Sequence, residues 1–76
     1  MVITTTAPAI QVHTANNIDG ATPLWLGKGG AVYQKQGAIN LETQNLPNAV
    51  NTPNFPSPVL HPGEVYHHVA THQFGF

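Results

Sequence analysis

The sequence predicts an all-β fold of antiparallel strands, and three observations predict it. Pro and Gly number 7 each among the 76 residues and interrupt every stretch that could form a helix. Apolar and polar residues alternate in several short segments, as is typical of half-buried strands. Turn-forming residues separate those segments. We therefore expect about four to five strands over residues 1–76, which form at most one small domain and leave unpaired strand edges if alone.

Two strands are predicted at the start of the chain, from Met1 to Thr6 and from Ala9 to Thr14, with Pro8 between them. The first is rich in β-branched residues, and the second alternates apolar and polar residues. The second strand sorts its side chains by face, with Ile10, Val12 and Thr14 on one side and Gln11 and His13 on the other. Gln11 and His13 either offer hydrogen bonds to a ligand or form an exposed polar face.

Residues 15–30 are predicted to be irregular, because they are rich in Asn, Gly and Thr. The cluster from Gly27 to Gly30 predicts a turn. It lacks the spacing of a phosphate-binding P-loop and the Ser or Thr that follows its lysine. Trp25 and Tyr33 are aromatic residues that could stack on a sugar ring, although packing into a small core is the commoner role.

The third predicted strand, Ala38 to Thr43, carries Glu42 at its end, just before an amide-rich loop. Glu42 is one of only three acidic residues, with Asp19 and Glu64, and the only one between an alternating strand and a polar loop. A carboxylate held among amides suits proton abstraction from a neutral, hydroxyl-rich ligand such as a sugar. The alternative is an ordinary surface or capping carboxylate.

The second half of the chain is dominated by proline up to residue 58, which favours extended or turn structure. At most one short helical turn is expected there, at Asn48 to Asn51. A turn is predicted from His61 to Glu64, and a last strand from Val65 to Phe76.

Five histidines raise the possibility of a zinc site: His13, His61, His67, His68 and His72. In a last strand running from Val65, only His68 and His72 would share a face, and no cysteine completes a ligand set. No metal site is predicted, and these histidines are expected to face solvent or to pack.

Charge is sparse, with two lysines, no arginine, three acids and a formal net charge of −1. Two cations cannot neutralise a run of phosphates, so neither nucleic acid nor an anionic membrane surface is an expected partner. The first six residues lack the basic and apolar regions of a signal peptide, so we expect a soluble, cytoplasmic chain. Such a poorly charged surface favours a chain that is largely covered by a partner.

Several motifs, taken in order, resemble the C-terminal part of the aldose 1-epimerase (galactose mutarotase) family. The matching segments are Ile10 to Asn16, Asp19-Gly20, Lys28 to Tyr33, Leu41 to Asn51, Phe55 to Leu60 and Pro62 to Tyr66. The resemblance implies a fragment of a large antiparallel β-supersandwich. It also implies mutarotation, the interconversion of the α and β anomers of an aldohexose such as galactose or glucose, without a cofactor.

Two site residues follow from the resemblance. Glu42 lies in the motif Leu-Glu-Thr-Gln-Asn and corresponds to the family's general base, and Gln11 corresponds to a glutamine that contacts sugar hydroxyls. The chain departs from the family pattern at His13, where the family has tyrosine, and at Asn48, where it has aspartate. Neither departure removes Gln11 or Glu42.

The resemblance also implies a missing acid, because the family's catalytic histidine and other sugar-binding residues lie upstream of the matched region. We therefore expect a complementing N-terminal chain, or a homo-oligomer, and no appreciable activity from the isolated chain. The alternative is a non-catalytic, self-associating β-module, or a truncated family member, with at most weak sugar binding.

Overall fold

The structure, a computed structural model, describes residues 1–21 and 23–75. It confirms the all-β prediction. The strands are β1 (Val2–Thr5), β2 (Ala9–His13), β3 (Asn40–Gln44) and β4 (Ala70–Gln73). The helical segments are single 3₁₀ turns at Pro23–Trp25, Lys28–Gly30 and Ala49–Asn51. The strands form two separate two-stranded sheets, one of β1 with β4 and one of β2 with β3.

The chain divides into two compact units, and the boundary passes through β2 and β3. One unit comprises Met1–Ile10 and Thr43–Phe76, and the other comprises Gln11–Glu42. In the first unit, β1 and β4 are antiparallel, with a register that runs from Val2 opposite Gln73 to Thr5 opposite Ala70.

The last strand is shorter than predicted. The prediction of a strand from Val65 is wrong for residues 65–69, which precede β4, while its final residue, Phe76, lies outside the described residues. The physical reason is the partner: β1 offers only four residues before the chain bends at residues 6–8. At that bend, the Thr6 backbone N–H still donates to the Val69 carbonyl at 3.0 Å, but the Val69 N–H donates to the Thr6 hydroxyl at 3.0 Å. A side chain therefore takes one of the two backbone bonds that would continue the ladder.

Two predicted turns in the first unit are confirmed. The turn at His61 is closed by the backbone N–H of Glu64, which donates to the His61 carbonyl at 3.1 Å. The short helical turn is Ala49–Asn51, and Asn48 precedes it with a left-handed backbone at φ 57°. Asn tolerates this conformation better than most residues, and its side-chain oxygen accepts a hydrogen bond from Asn51 Nδ2 at 2.7 Å.

The second unit contains a small hairpin at the predicted glycine turn. Leu26 and Val32 form an antiparallel bridge, and the backbone N–H of Tyr33 donates to the Trp25 carbonyl at 2.9 Å. Gly29 and Gly30 close the hairpin at φ 65° and 78°, a backbone region that glycine enters without steric cost. The turn prediction is confirmed.

Little of the apolar surface is buried. Among the described residues, the buried apolar side chains are those of Ala15 and Ala49, at 6% and 7% exposure. Leu24, Val65 and Phe74, in contrast, are each more than three-quarters exposed. Large apolar side chains of this kind are most often buried in a complete globular domain. Within residues 1–21 and 23–75, no helix has the length and apolar character that crossing a membrane would require.

Candidate functional site

Gln11 and Glu42 occupy equivalent places in neighbouring strands. Gln11 is the third of the five residues of β2, and Glu42 is the third of the five residues of β3. The two strands pair in one sheet, and both side chains are exposed. The predicted strand Ala38 to Thr43 starts two residues too early and ends one residue too early, because β3 runs from Asn40 to Gln44 and so places Glu42 at its centre instead of near its end. Pairing with β2 thus carries the strand into the amide-rich segment.

The three carboxylates differ in what they bind. The Asp19 carboxylate accepts the backbone N–H of Ala21 at 2.9 Å, and the Glu64 carboxylate accepts the backbone N–H of His61 at 3.1 Å. Both therefore close turns. The side-chain hydrogen bonds found within residues 1–21 and 23–75 include none to the Glu42 carboxylate. Glu42 is therefore the carboxylate that the described part of the chain leaves free for a ligand.

Gln11, like Glu42, is exposed, and its side chain is not held by a hydrogen bond among the described residues. Its neighbour two residues along β2, His13, is half-buried and has Nε2 3.3 Å from Asn17 Oδ1. Gln11 itself is exposed, and among the described residues no side-chain hydrogen bond holds its amide. The amide retains both its donor and its acceptor groups for the hydroxyls of a ligand. His13 therefore contacts Asn17 and leaves Gln11 unengaged.

The aromatic residues do not form the expected core. Trp25 is half-buried and Tyr33 is 52% exposed, and both lie in the small hairpin of the second unit. The Tyr33 ring lies over Gly27, where an added Cβ would come 2.5 Å from the tyrosine Oη. Gly27 therefore provides the space that the ring occupies.

His68 is the residue with contacts that the sequence did not predict. Its ring nitrogens lie within hydrogen-bonding distance of three hydroxyl groups, those of Thr5, Thr43 and Tyr66. Thr5 and Thr43 are 63 and 25 residues away in sequence, so no local pattern could have revealed these two contacts. His68 also precedes β4, so the strand alternation that paired it with His72 does not apply. Across residues 1–21 and 23–75, no group of three or more His, Cys, Asp or Glu side chains is placed to hold a metal ion.

Comparison with known proteins identifies the family. A family model described as aldose 1-epimerase matches residues 1–73. The chain belongs to the aldose 1-epimerase family. The resemblance expected from the motifs around Gln11 and Glu42 is thereby confirmed.

Curated relatives within the aldose 1-epimerase family agree with this assignment. The chain is 55% identical over 64 residues to the galactose mutarotase of Sus scrofa, a match that covers 84% of the chain and 18% of the relative. It is 49% identical over 70 residues to that of Homo sapiens, and 38% identical over 72 residues to the aldose 1-epimerase of Escherichia coli. Both of these matches cover 92% of the chain and 20% of the relative, so the chain spans about a fifth of the length of these proteins.

Proposed function

We propose that this chain contributes the general base and one substrate-binding residue to an aldose 1-epimerase, which interconverts the α and β anomers of an aldohexose. Glu42 is the base and Gln11 binds sugar hydroxyls. The observation that carries the proposal is the free Glu42 carboxylate in the centre of β3, in a chain whose other two carboxylates bind turn N–H groups. Family membership supplies the reaction class.

The proposed reaction needs one base and one acid. Glu42 takes the proton from the anomeric hydroxyl while an acid protonates the ring oxygen. The bond between C1 and the ring oxygen breaks, and the C1 oxygen becomes a carbonyl oxygen. Rotation about the C1–C2 bond turns the other face of the aldehyde toward the ring oxygen. Reclosure returns both protons, so no cofactor is consumed.

The exposure of Glu42 indicates that other residues must complete the site. A general base needs a second positioned group and a ligand held against it, and the described residues leave Glu42 open to solvent. Two-stranded sheets are at best marginally stable alone, and the apolar residues Ile10 and Val12 of β2 are about half exposed. We propose that the region of the relatives that the chain does not match covers these residues and supplies the acid.

The proposal can be tested in a hybrid protein. Residues 1–73 of this chain replace the matching segment of the Sus scrofa galactose mutarotase, which is 55% identical where the two align. Polarimetry of freshly dissolved α-galactose measures the mutarotation rate. We expect an active hybrid whose kcat falls by about 100-fold or more in Glu42→Gln, because proton transfer by a positioned base contributes about that much.

Glu64→Gln is the matched control. Its amide oxygen can still accept the N–H of His61, so the turn should survive and the rate should stay within about twofold of the unsubstituted hybrid. Equal loss of rate in Glu42→Gln and Glu64→Gln would overturn the role of Glu42. An unsubstituted hybrid that folds but does not exceed the buffer rate would overturn the proposed function.

A second candidate is a non-catalytic, self-associating β-module with weak sugar binding. The observation that favours it is that, within residues 1–21 and 23–75, each strand of the two-stranded sheets keeps one unpaired edge, since exposed edges invite pairing with other chains. The two candidates differ in the hybrid. Galactose binding without a Glu42-dependent rate would support the module, and a rate that depends on Glu42 would exclude it.

A further inference from the structure

The imidazole of His68 connects three separate parts of the first unit. Nε2 lies 3.1 Å from Thr43 Oγ1 in β3 and 3.3 Å from Thr5 Oγ1 in β1. Nδ1 lies 3.2 Å from the Oη of Tyr66, whose ring meets the imidazole edge-on at 78° with a centroid separation of 6.3 Å. One side chain therefore ties β3 to β1 and to the segment that leads into β4.

The hydrogen-bond partners of His68 favour a role in positioning neighbouring residues over a role in proton transfer. A hydroxyl can donate or accept, so Thr43 and Tyr66 satisfy the two ring nitrogens in either neutral tautomer and in the imidazolium. The contacts therefore do not depend on a single protonation state. A group that must deliver a proton to a ligand needs one ring nitrogen directed at that ligand, and both nitrogens of His68 already have protein partners.

The recess that the described residues form beside His68 is small. A cavity of about 110 Å³ lies next to the ring and is lined by residues that include Gln44, Asn45 and Tyr66. Sites that enclose small molecules measure about 300 Å³ or more. The size of the cavity therefore favours packing and positioning over ligand binding at His68.

We propose that His68 is a positioning residue for Glu42. Thr43 follows Glu42 in β3, and successive strand side chains point to opposite faces. A hydrogen bond from the imidazole to the Thr43 hydroxyl therefore holds the strand from the face opposite to the carboxylate. Loss of that bond lets β3 shift, and small misplacements of a catalytic group cost up to about 100-fold in rate. The inference rests on the proposed role of Glu42 as base.

The first test removes one hydroxyl in the active hybrid. Thr43→Val preserves the shape of the side chain but not its hydrogen bond, and Thr43→Ser keeps the hydroxyl. We expect kcat to fall by about 10- to 100-fold in Thr43→Val, with KM within about threefold, and to recover in Thr43→Ser. Thr71→Val is the matched control, because Thr71 lies in β4 and pairs with Thr4 of β1. It should leave both constants unchanged.

The second test asks whether Thr43 and His68 act together. His68→Phe should lower kcat as Thr43→Val does, His68→Gln should recover part of it, and the double variant should lose no more than either single variant, because residues in one network are not additive. In ¹⁵N NMR spectra of the hybrid, Thr43→Val should shift the His68 Nε2 resonance and Thr71→Val should not.

Three outcomes would overturn the positioning role: equal kcat in Thr43→Val and Thr43→Ser, fully additive losses, or an effect confined to KM. A hybrid that is active and Glu42-dependent but shows one of these results contradicts this inference alone. A hybrid in which Glu42→Gln retains full activity contradicts the proposed function instead, and the NMR shift then tests the His68–Thr43 contact independently of activity.

Discussion

Glu64 and His61 bind each other twice across one turn. The backbone N–H of His61 donates to the Glu64 carboxylate, and the backbone N–H of Glu64 donates to the His61 carbonyl, each at 3.1 Å. This reciprocal pair uses one of the three carboxylates of the chain for structure. Glu64 therefore closes a turn, whereas the Glu42 carboxylate, which has no such partner among the described residues, is the candidate catalytic group.

The turn at His61 predicts a stability effect without an activity effect. In the hybrid, Glu64→Ala should lower the free energy of unfolding by about 0.5–1.5 kcal/mol, because one hydrogen bond is lost at an exposed site. The midpoint of urea unfolding measures this change. Glu64→Gln is the control and should stay close to the unsubstituted hybrid. A Glu64→Ala variant as stable as Glu64→Gln would contradict the structural role.

The free amide of Gln11 predicts a binding effect. Gln11→Ala in the hybrid should lower kcat/KM for galactose by about 2- to 10-fold, the worth of one neutral hydrogen bond. Initial rates over a range of sugar concentrations measure it. Gln73→Ala, which removes an exposed glutamine from β4, should have no effect. Equal constants for both variants would exclude Gln11 as a sugar contact.

The left-handed backbone of Asn48 predicts a ranking of substitutions. Asn48→Ala should destabilise the hybrid by about 1–2 kcal/mol, because alanine strains at φ 57° and the hydrogen bond from Asn51 is lost. Asn48→Asp keeps an acceptor for Asn51 and should cost less. Urea unfolding midpoints compare the variants. A more stable Asn48→Ala than Asn48→Asp would contradict this account.

The uncovered apolar face of β2 predicts that the isolated 76-residue chain self-associates. Ile10 and Val12 lie on that face and are exposed, so association would remove them from water. Light scattering measures the mass distribution. Val12→Lys should reduce association more than Gln11→Lys, which adds the same charge to the other face of the strand. A monodisperse monomer with a cooperative melt would refute the prediction.

Most strands could be predicted from local pattern. β-branched and alternating residues gave β1 and β2 to within a residue at each end, and proline and glycine marked the turn at His61. The predicted limits of β3 differ from the observed ones by up to two residues, since these limits depend on which residues pair with β2. β4 was overextended for the same reason: four residues of β1 can pair with only four residues of β4.

Only part of the candidate site could be predicted from the sequence. Motifs alone pointed to Gln11 and Glu42 and to a family that the comparison confirms. They could not show that the Asp19 and Glu64 carboxylates are engaged in turns, because hydrogen bonds depend on atomic positions. The sequence predicted that His68 would face solvent or pack, and it could not reveal the hydroxyl partners Thr5 and Thr43, which come from distant parts of the chain.

The sequence by itself therefore determined the fold class, the family, and the identity of the proposed base. These features depend on local alternation, turn residues and the order of motifs. Each is a property of residues close together in the chain and can be recognised in the sequence alone. Only the tertiary structure decided where β4 begins, which carboxylate is free, and that His68 contacts the hydroxyl of Thr43 beside Glu42. Each of these features depends on which groups come into contact when the chain folds, and a local sequence pattern does not specify those contacts.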